Sequence, residues 1–347
     1  MTESETPSRG QALLEVEDLS THFTIDAGRL RAVDQVSFSL EPGRTMGIVG
    51  ESGSGKTVLS RTIMRLNLGS NVQTSGSVRF LDKELLDLPM AEMTKIWGQD
   101  MAMVFQDPMT SLNPVVKVGR QVSEHVRKHL GASKTESKDL AVELLRSVRI
   151  PEAETAVDRY PHELSGGMRQ RISIAIALAC GPKLLFADEP TTALDVTIQA
   201  QILELLERLQ DELGMAVLMI THDLGVIAEV ADRVAVMYAG KIVESAPVER
   251  IFSDPKHPYT IGLLDSIPKL NEEVDTLSVI PGTVPDATRF PEGCRFAPRC
   301  DRAESVCHDR EPALLHAIEG VHDDESGHRV ACWFAEGYPE AVEAPSI

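Results

Sequence analysis

This sequence predicts an α/β fold built on a mostly parallel sheet, and three observations carry the prediction. Short apolar stretches that read as strands alternate with stretches that read as helices. One strand runs into a glycine-rich loop and then a helix. A second strand, residues 184–187, ends on the paired carboxylates Asp188 and Glu189. Strands joined through helices make parallel sheets with both faces covered.

The elements follow in order. Residues 13–25 alternate and end at the turn Asp26-Ala27-Gly28, so they predict a strand. Residues 31–40 predict a second strand, and 45–49 a short buried one. Residues 77–81 and 101–105 predict two more. From about 119 to 180 the pattern becomes helical, with apolar residues three and four apart in 119–130 and 138–149, and with Pro151 and Pro161 as punctuation. A helical subdomain inserted at about 107–180 is the simplest reading. Residues 183–187 return to strand, 197–213 form a strongly amphipathic helix, and 216–220 and 233–238 are further strands. From 251 onward prolines accumulate at 255, 258, 268, 281, 285, 291 and 298, which predicts a loop-rich extension. The expected division is a polar tail over 1–11, a nucleotide-binding domain over 12–250 and the extension over 251–347. No internal repeat is evident.

Gly50 to Thr57 reads G-E-S-G-S-G-K-T, a full match to G-x-x-x-x-G-K-[ST]. The apolar run 46–49 precedes it and 58–64 continue it as a helix, which is the context of a phosphate-binding loop. Gly50, Ser52, Gly53, Ser54, Gly55, Lys56, Thr57 and Val58 are the expected cradle. Their backbone N–H groups can crowd around an anion, with the helix dipole behind them. Lys56 is expected on the β- and γ-phosphates and the Thr57 hydroxyl on Mg²⁺. The chain therefore reads as binding a nucleoside triphosphate. Asp188 stands where a carboxylate would hold the Mg²⁺, and Glu189 where one would polarise a water for in-line attack. Ser165, Gly166 and Gly167 precede the helix 172–180 and form a second anion-binding nest that lacks a lysine.

The net charge of −19 argues against nucleic acid as a partner, since that would call for a basic stripe. No apolar run reaches the roughly eighteen residues that span a bilayer. The first residues are polar and lack a signal's apolar core, so a cytoplasmic protein docked to a membrane through partners is expected. Cys180 reads as a packed core residue. The other four cysteines, Cys294, Cys300, Cys307 and Cys332, cluster near the end. In a reducing compartment such a cluster reads as a metal site before it reads as disulfides. Their spacings differ from the Cys-x2-Cys knuckle of common zinc sites, so zinc and an iron–sulfur cluster both remain open. His308, His322 and His328 and the run Asp323-Asp324-Glu325 are expected to be solvated.

Together these residues resemble the nucleotide-binding subunits of ABC transporters, over about 13–248. Val104-Phe105-Gln106 is similar to the family's Q-loop, which implies that Gln106 touches Mg²⁺ and the attacking water. Residues 164–170 are similar to the signature motif, and Ala193-Leu194-Asp195 to the D-loop. Ile220-Thr221-His222-Asp223 is similar to the switch, with His222 on the γ-phosphate. Phe23 is the candidate to stack on adenine. The resemblance implies ATP hydrolysis by Lys56, Gln106, Glu189 and His222. It also implies ATP clamped between one subunit's phosphate loop and a partner's signature motif.

Ile280-Pro281-Gly282-Thr283-Val284-Pro285, the stretch from Gly293 to Cys300, Ala331-Cys332-Trp333 and His257-Pro258-Tyr259-Thr260 resemble the tail of oligopeptide and dipeptide importer ATPases. That resemblance implies a 4Fe-4S cluster on Cys294, Cys300, Cys307 and Cys332, with zinc as the alternative. It implies two membrane-spanning permease subunits and a second ATPase subunit that is a paralogue. An extracytoplasmic substrate-binding protein and a peripheral place on the cytoplasmic face of the membrane complete the expectation. Nickel complexes or another small solute are the alternative cargo. An ATPase outside transport fits less well, because the chain holds one ATPase unit and no sustained heptads.

Overall fold

The computed structural model describes residues 12–107, 111–192, 194–267, 279–316 and 327–335. Its strands are β1 (Leu14–Ile25), β2 (Gly28–Leu40), β3 (Thr45–Val49), β4 (Val72–Phe80), β5 (Lys83–Glu84), β6 (Met101–Val104), β7 (Leu184–Asp188), β8 (Ala216–Thr221), β9 (Arg233–Tyr238), β10 (Lys241–Pro247), β11 (Leu315–His316) and β12 (Arg329–Val330). The chain divides into two compact units that interleave along the sequence.

The first unit holds Met1–Glu15, Ser39–Thr45 and Arg79–Ile220. Here β6, β7 and β8 run parallel, with Met101 beside Leu184 and Leu184 beside Ala216. Every residue of β7 is buried, which explains why its sequence is apolar up to Asp188 and does not alternate. The helix Val118–Leu130 buries Val118, Val122 and Val126, spaced one turn apart. It stops at Gly131, whose φ of 66° suits glycine. The next helix, Lys134–Ser147, begins four residues before the apolar pattern predicts. Ser133 caps it, its hydroxyl accepting the Glu136 N–H while the Glu136 carboxylate accepts the Ser133 N–H. Caps of this kind act through polar residues, so hydrophobic spacing misses the first turn. Helices Gly166–Leu178 and Val196–Leu213 follow, the latter burying Ile202, Leu205, Leu206 and Leu209.

The second unit holds Val16–Phe38, Met46–Val78 and Thr221–Ile347. Within it β1 lies between β2 and β4. β4 is longer than the expected 77–81, because Val72 to Ser75 are half-buried or exposed and carry no apolar signal. β3 pairs parallel with β9, with Met46 opposite Arg233. β10 returns antiparallel to β9, its register slipping between Ile242 and Glu244. Beyond it the tail adds β12, with Glu244 opposite Val330, and then β11.

Glu244 is fully buried in β10, and that is why the sequence hides this strand. Its carboxylate accepts the N–H groups of Lys256 and His257 at 2.7 and 2.9 Å and meets His328 Nε2 at 2.8 Å. His328 is therefore buried and paired, where solvation was expected. His322 and Asp323-Asp324-Glu325 lie outside the described residues. Tyr238, Tyr259 and Phe296 pack the tail, with ring centroids 4.6 to 5.4 Å apart. Among the described residues no helix is long and apolar enough to cross a membrane.

Candidate functional site

In the second unit β3 delivers the glycine-rich loop. Gly50 takes φ 151°, and a Cβ there would lie 2.1 Å from the Met237 carbonyl oxygen, so only glycine fits. The helix Lys56–Ile63 starts directly at Gly55 with no acidic residue in its first turn. Its N-terminal dipole is thus left for an anion. Lys56 Nζ donates to the carbonyls of Gly50 at 2.7 Å and Glu51 at 3.0 Å, so the ammonium spans the loop. The Glu51 N–H donates to the Tyr259 hydroxyl at 2.8 Å, and the Glu51 carboxylate takes both arms of Arg299. Reading the sequence had assigned no role to Glu51, Tyr259 or Arg299.

His222 is exposed one residue past β8. Asp223 turns the chain there by accepting the Gly225 N–H at 2.8 Å and capping the helix Leu224–Val230. Phe23 lies half-buried in β1, so its ring is not locked in the core. The structure thus brings Phe23, the loop with Lys56 and Thr57, and His222 into one unit.

The first unit holds the carboxylates. Asp188 ends β7 and is 1% exposed. Glu189 follows at φ 47°, a left-handed conformation that costs a non-glycine residue about 1–3 kcal/mol and that tends to mark functional positions. Its N–H donates to the Ile220 carbonyl at 2.7 Å. One carboxylate oxygen accepts from Gln106 Nε2 at 2.7 Å and from the Thr192 hydroxyl at 2.9 Å. The two residues expected around an attacking water are therefore bonded to each other. Thr192 is a third member that motif reading missed, although it sits only three positions beyond Glu189.

Ser165 caps the helix Gly166–Leu178 by accepting the Met168 N–H, which leaves its O–H able to donate to an anion. A Cβ on Gly167 would lie 2.9 Å from Ile198 Cγ2, so this glycine permits close helix packing. Asp195 caps the helix Val196–Leu213 through the Ile198 N–H. Ala193, beside it, lies outside the described residues.

The tail cysteines converge on one cavity. Among the described residues no group of three or more His, Cys, Asp or Glu is arranged to hold a metal ion. The expected iron–sulfur ligand set is thus not seen as such. Cys294, Cys300, Cys307 and Cys332 nevertheless all line one cavity of about 20 Å³, together with Phe296 and Trp333. Burial pushes the Cys294 thiol up to about 11 and raises Cys300 and Cys332 as well. Neutral thiols pack as small apolar groups, whereas thiolates gather only around a cation. Cys180 stands apart and is likewise pushed up to about 11 by burial, in keeping with a packing role.

Comparison with known proteins agrees with this geometry. The ABC transporter family model matches residues 33–192, and the model for the oligopeptide/dipeptide transporter C-terminal region matches 243–307. A peptide import ATP-binding protein of Brucella abortus is 52% identical over 302 residues, covering 87% of this chain and 91% of the relative. The oligopeptide transport ATP-binding protein AppD of Bacillus subtilis is 49% identical over 325 residues, covering 93% and 97%. Among solved structures, the ATP-binding cassette MJ0796, a dimer in a post-hydrolysis state with ADP and Pi, superposes with a TM-score of 0.61 at 29% identity, covering 68% of this chain and 98% of that one. The Clostridium perfringens cassette cbiO1 gives 0.59 at 26% identity, covering 70% and 91%.

Proposed function

This chain belongs to the ABC transporter ATPases, in their oligopeptide/dipeptide branch, and hydrolyses ATP to power peptide import; from that premise we propose how its residues do so. Lys56 and the N–H groups of Gly50, Ser52, Gly53, Ser54, Gly55, Thr57 and Val58 hold the β- and γ-phosphates. Thr57, Asp188 and Gln106 hold Mg²⁺, which neutralises phosphate charge when bound. Glu189 polarises the attacking water, His222 contacts the γ-phosphate and Phe23 stacks on adenine. Ser165, Gly166, Gly167 and Asp195 serve the nucleotide of a partner cassette.

The observation that carries this reading is the clamp on Glu189. A left-handed backbone and donors from Gln106 and Thr192 hold the Glu189 carboxylate in one place, next to the glutamine expected at the attacking water. We propose that two permease subunits, an extracytoplasmic binding protein and a paralogous ATPase complete the machine at the cytoplasmic face of the membrane. The matched C-terminal model and the name of the Bacillus relative support oligopeptides or dipeptides as cargo over nickel complexes.

We also propose that the four tail thiols hold a metal group, and their shared cavity supports that reading. The resemblance favours a 4Fe-4S cluster.

The test is Glu189→Gln in the assembled transporter. ATP binding is retained, turnover falls about 10²- to 10⁴-fold and peptide uptake stops. The variant also accumulates as an ATP-bound cassette pair, read by sedimentation. Hydrolysis at the normal rate would show that Glu189 is not the base. ATP-driven pairing of this chain with itself, and not with a paralogue, would overturn the heterodimer.

A further inference from the structure

A tail residue reaches the phosphate loop. Arg299 Nη1 donates to Glu51 Oε2 at 2.7 Å, and Nη2 to Glu51 Oε1 at 3.0 Å, a bidentate pair. Arg299 Nε donates to the Pro281 carbonyl at 2.8 Å, which fixes the plane of the fork. The Arg299 side chain is 4% exposed and that of Glu51 is 31% exposed. Arg299 ends the single turn Ala297–Arg299, immediately before Cys300. Glu51 is the second residue of G-E-S-G-S-G-K-T, and its own N–H is tied to the Tyr259 hydroxyl.

A carboxylate at that position works against the loop. It has the sign of the polyphosphate the loop must hold. The main chain of the same residue is tied to the cation the phosphates require, since the Glu51 carbonyl oxygen accepts from Lys56 Nζ at 3.0 Å. A freed carboxylate would repel phosphate and compete for that ammonium. A nearly dry, two-armed guanidinium cancels the charge in a geometry that a flexible ammonium does not reproduce.

We propose that Arg299 is a positioning residue for ATP binding: its guanidinium neutralises Glu51 and holds it away from Lys56, so that the tail completes the phosphate loop. This rests on residues 50–57 being that loop.

The experiment measures ATP affinity and steady-state hydrolysis for variants of the full chain in its transporter. Arg299→Ala raises KM for ATP about tenfold while kcat stays within about twofold. The defect is larger at low salt than at high salt. Adding Glu51→Gln to Arg299→Ala removes the stranded charge and returns KM to within about threefold of the parent. An unchanged KM in Arg299→Ala overturns the proposal, and so does a double variant as weak as the single one. If Arg299→Ala fails to fold, Arg299→Gln paired with Glu51→Gln gives two neutral amides. A near-parental KM there supports the proposal, and a tenfold rise overturns it. Lys56→Ala is run in parallel. Loss of ATP binding in Lys56→Ala beside a normal Arg299→Ala sinks this inference alone, whereas ATP binding retained in Lys56→Ala sinks the phosphate-loop reading and this inference with it.

Discussion

Gly50 shows how little room the phosphate loop has. Its φ of 151° lies outside the range of other residues, and the Met237 carbonyl stands where a Cβ would be. Gly50→Ala is expected to cost at least about 1–3 kcal/mol and to weaken ATP binding together with stability. Denaturant melts with and without nucleotide check both, and an unperturbed variant would mean that the loop relaxes. Residues of this kind were legible in the sequence because the motif is itself a steric rule: glycine wherever backbone must approach backbone. Glu189, Asp188 and Lys56 were legible for the same reason, since their order encodes their geometry. Thr192, Tyr259 and Arg299 were not, because nothing in their local sequence says that their side chains fold back onto Glu189 or Glu51.

At the scale of the element, the informative case is β10. Its inward-facing Glu244 breaks the apolar pattern, so the strand could not be read before its partners were known. Burial alone would raise the Glu244 pKa, but the His328 ring and the N–H groups of Lys256 and His257 outweigh it and hold the carboxyl below its usual range. A depressed pKa means that the ionised form stabilises the fold above about pH 4.5, and that this contribution is lost as pH falls through the folded value. Glu244→Ala removes the acceptor that the His257 N–H and the His328 ring now use and is expected to cost more than about 3 kcal/mol near neutrality. The gap between the parent and Glu244→Ala should shrink as the medium is acidified below pH 4.5, read from urea midpoints. A gap independent of pH would show that packing, and not the charge, matters. The strands β3, β7 and β9 needed no such help. Covered on both faces, they announce themselves as unbroken apolar runs, and the structure places each within a residue of the expected bounds.

At the scale of the whole molecule, the metal content of the anaerobically purified chain is the decisive quantity. Close to four irons with four sulfides is expected for the cluster that the resemblance implies, and one zinc for its alternative. Neither metal in stoichiometric amount would remove the metal-group reading and leave the four thiols as packing. The family was legible because its motifs are local. How the tail packs within the second unit was not, because β12 on β10, Arg295 on the Ala239 carbonyl and Arg299 on Glu51 all join residues far apart in sequence. The last of these contacts has a consequence during synthesis. Glu51 leaves the ribosome 248 residues before Arg299, about 12–50 s earlier at common elongation rates. Throughout that interval the nascent cassette carries a complete glycine-rich loop with its carboxylate uncompensated. A chain that stalls or is cut before residue 299 would keep every motif of an ATPase and still fill its loop less readily, so an unfinished copy would lose to finished ones wherever ATP is scarce.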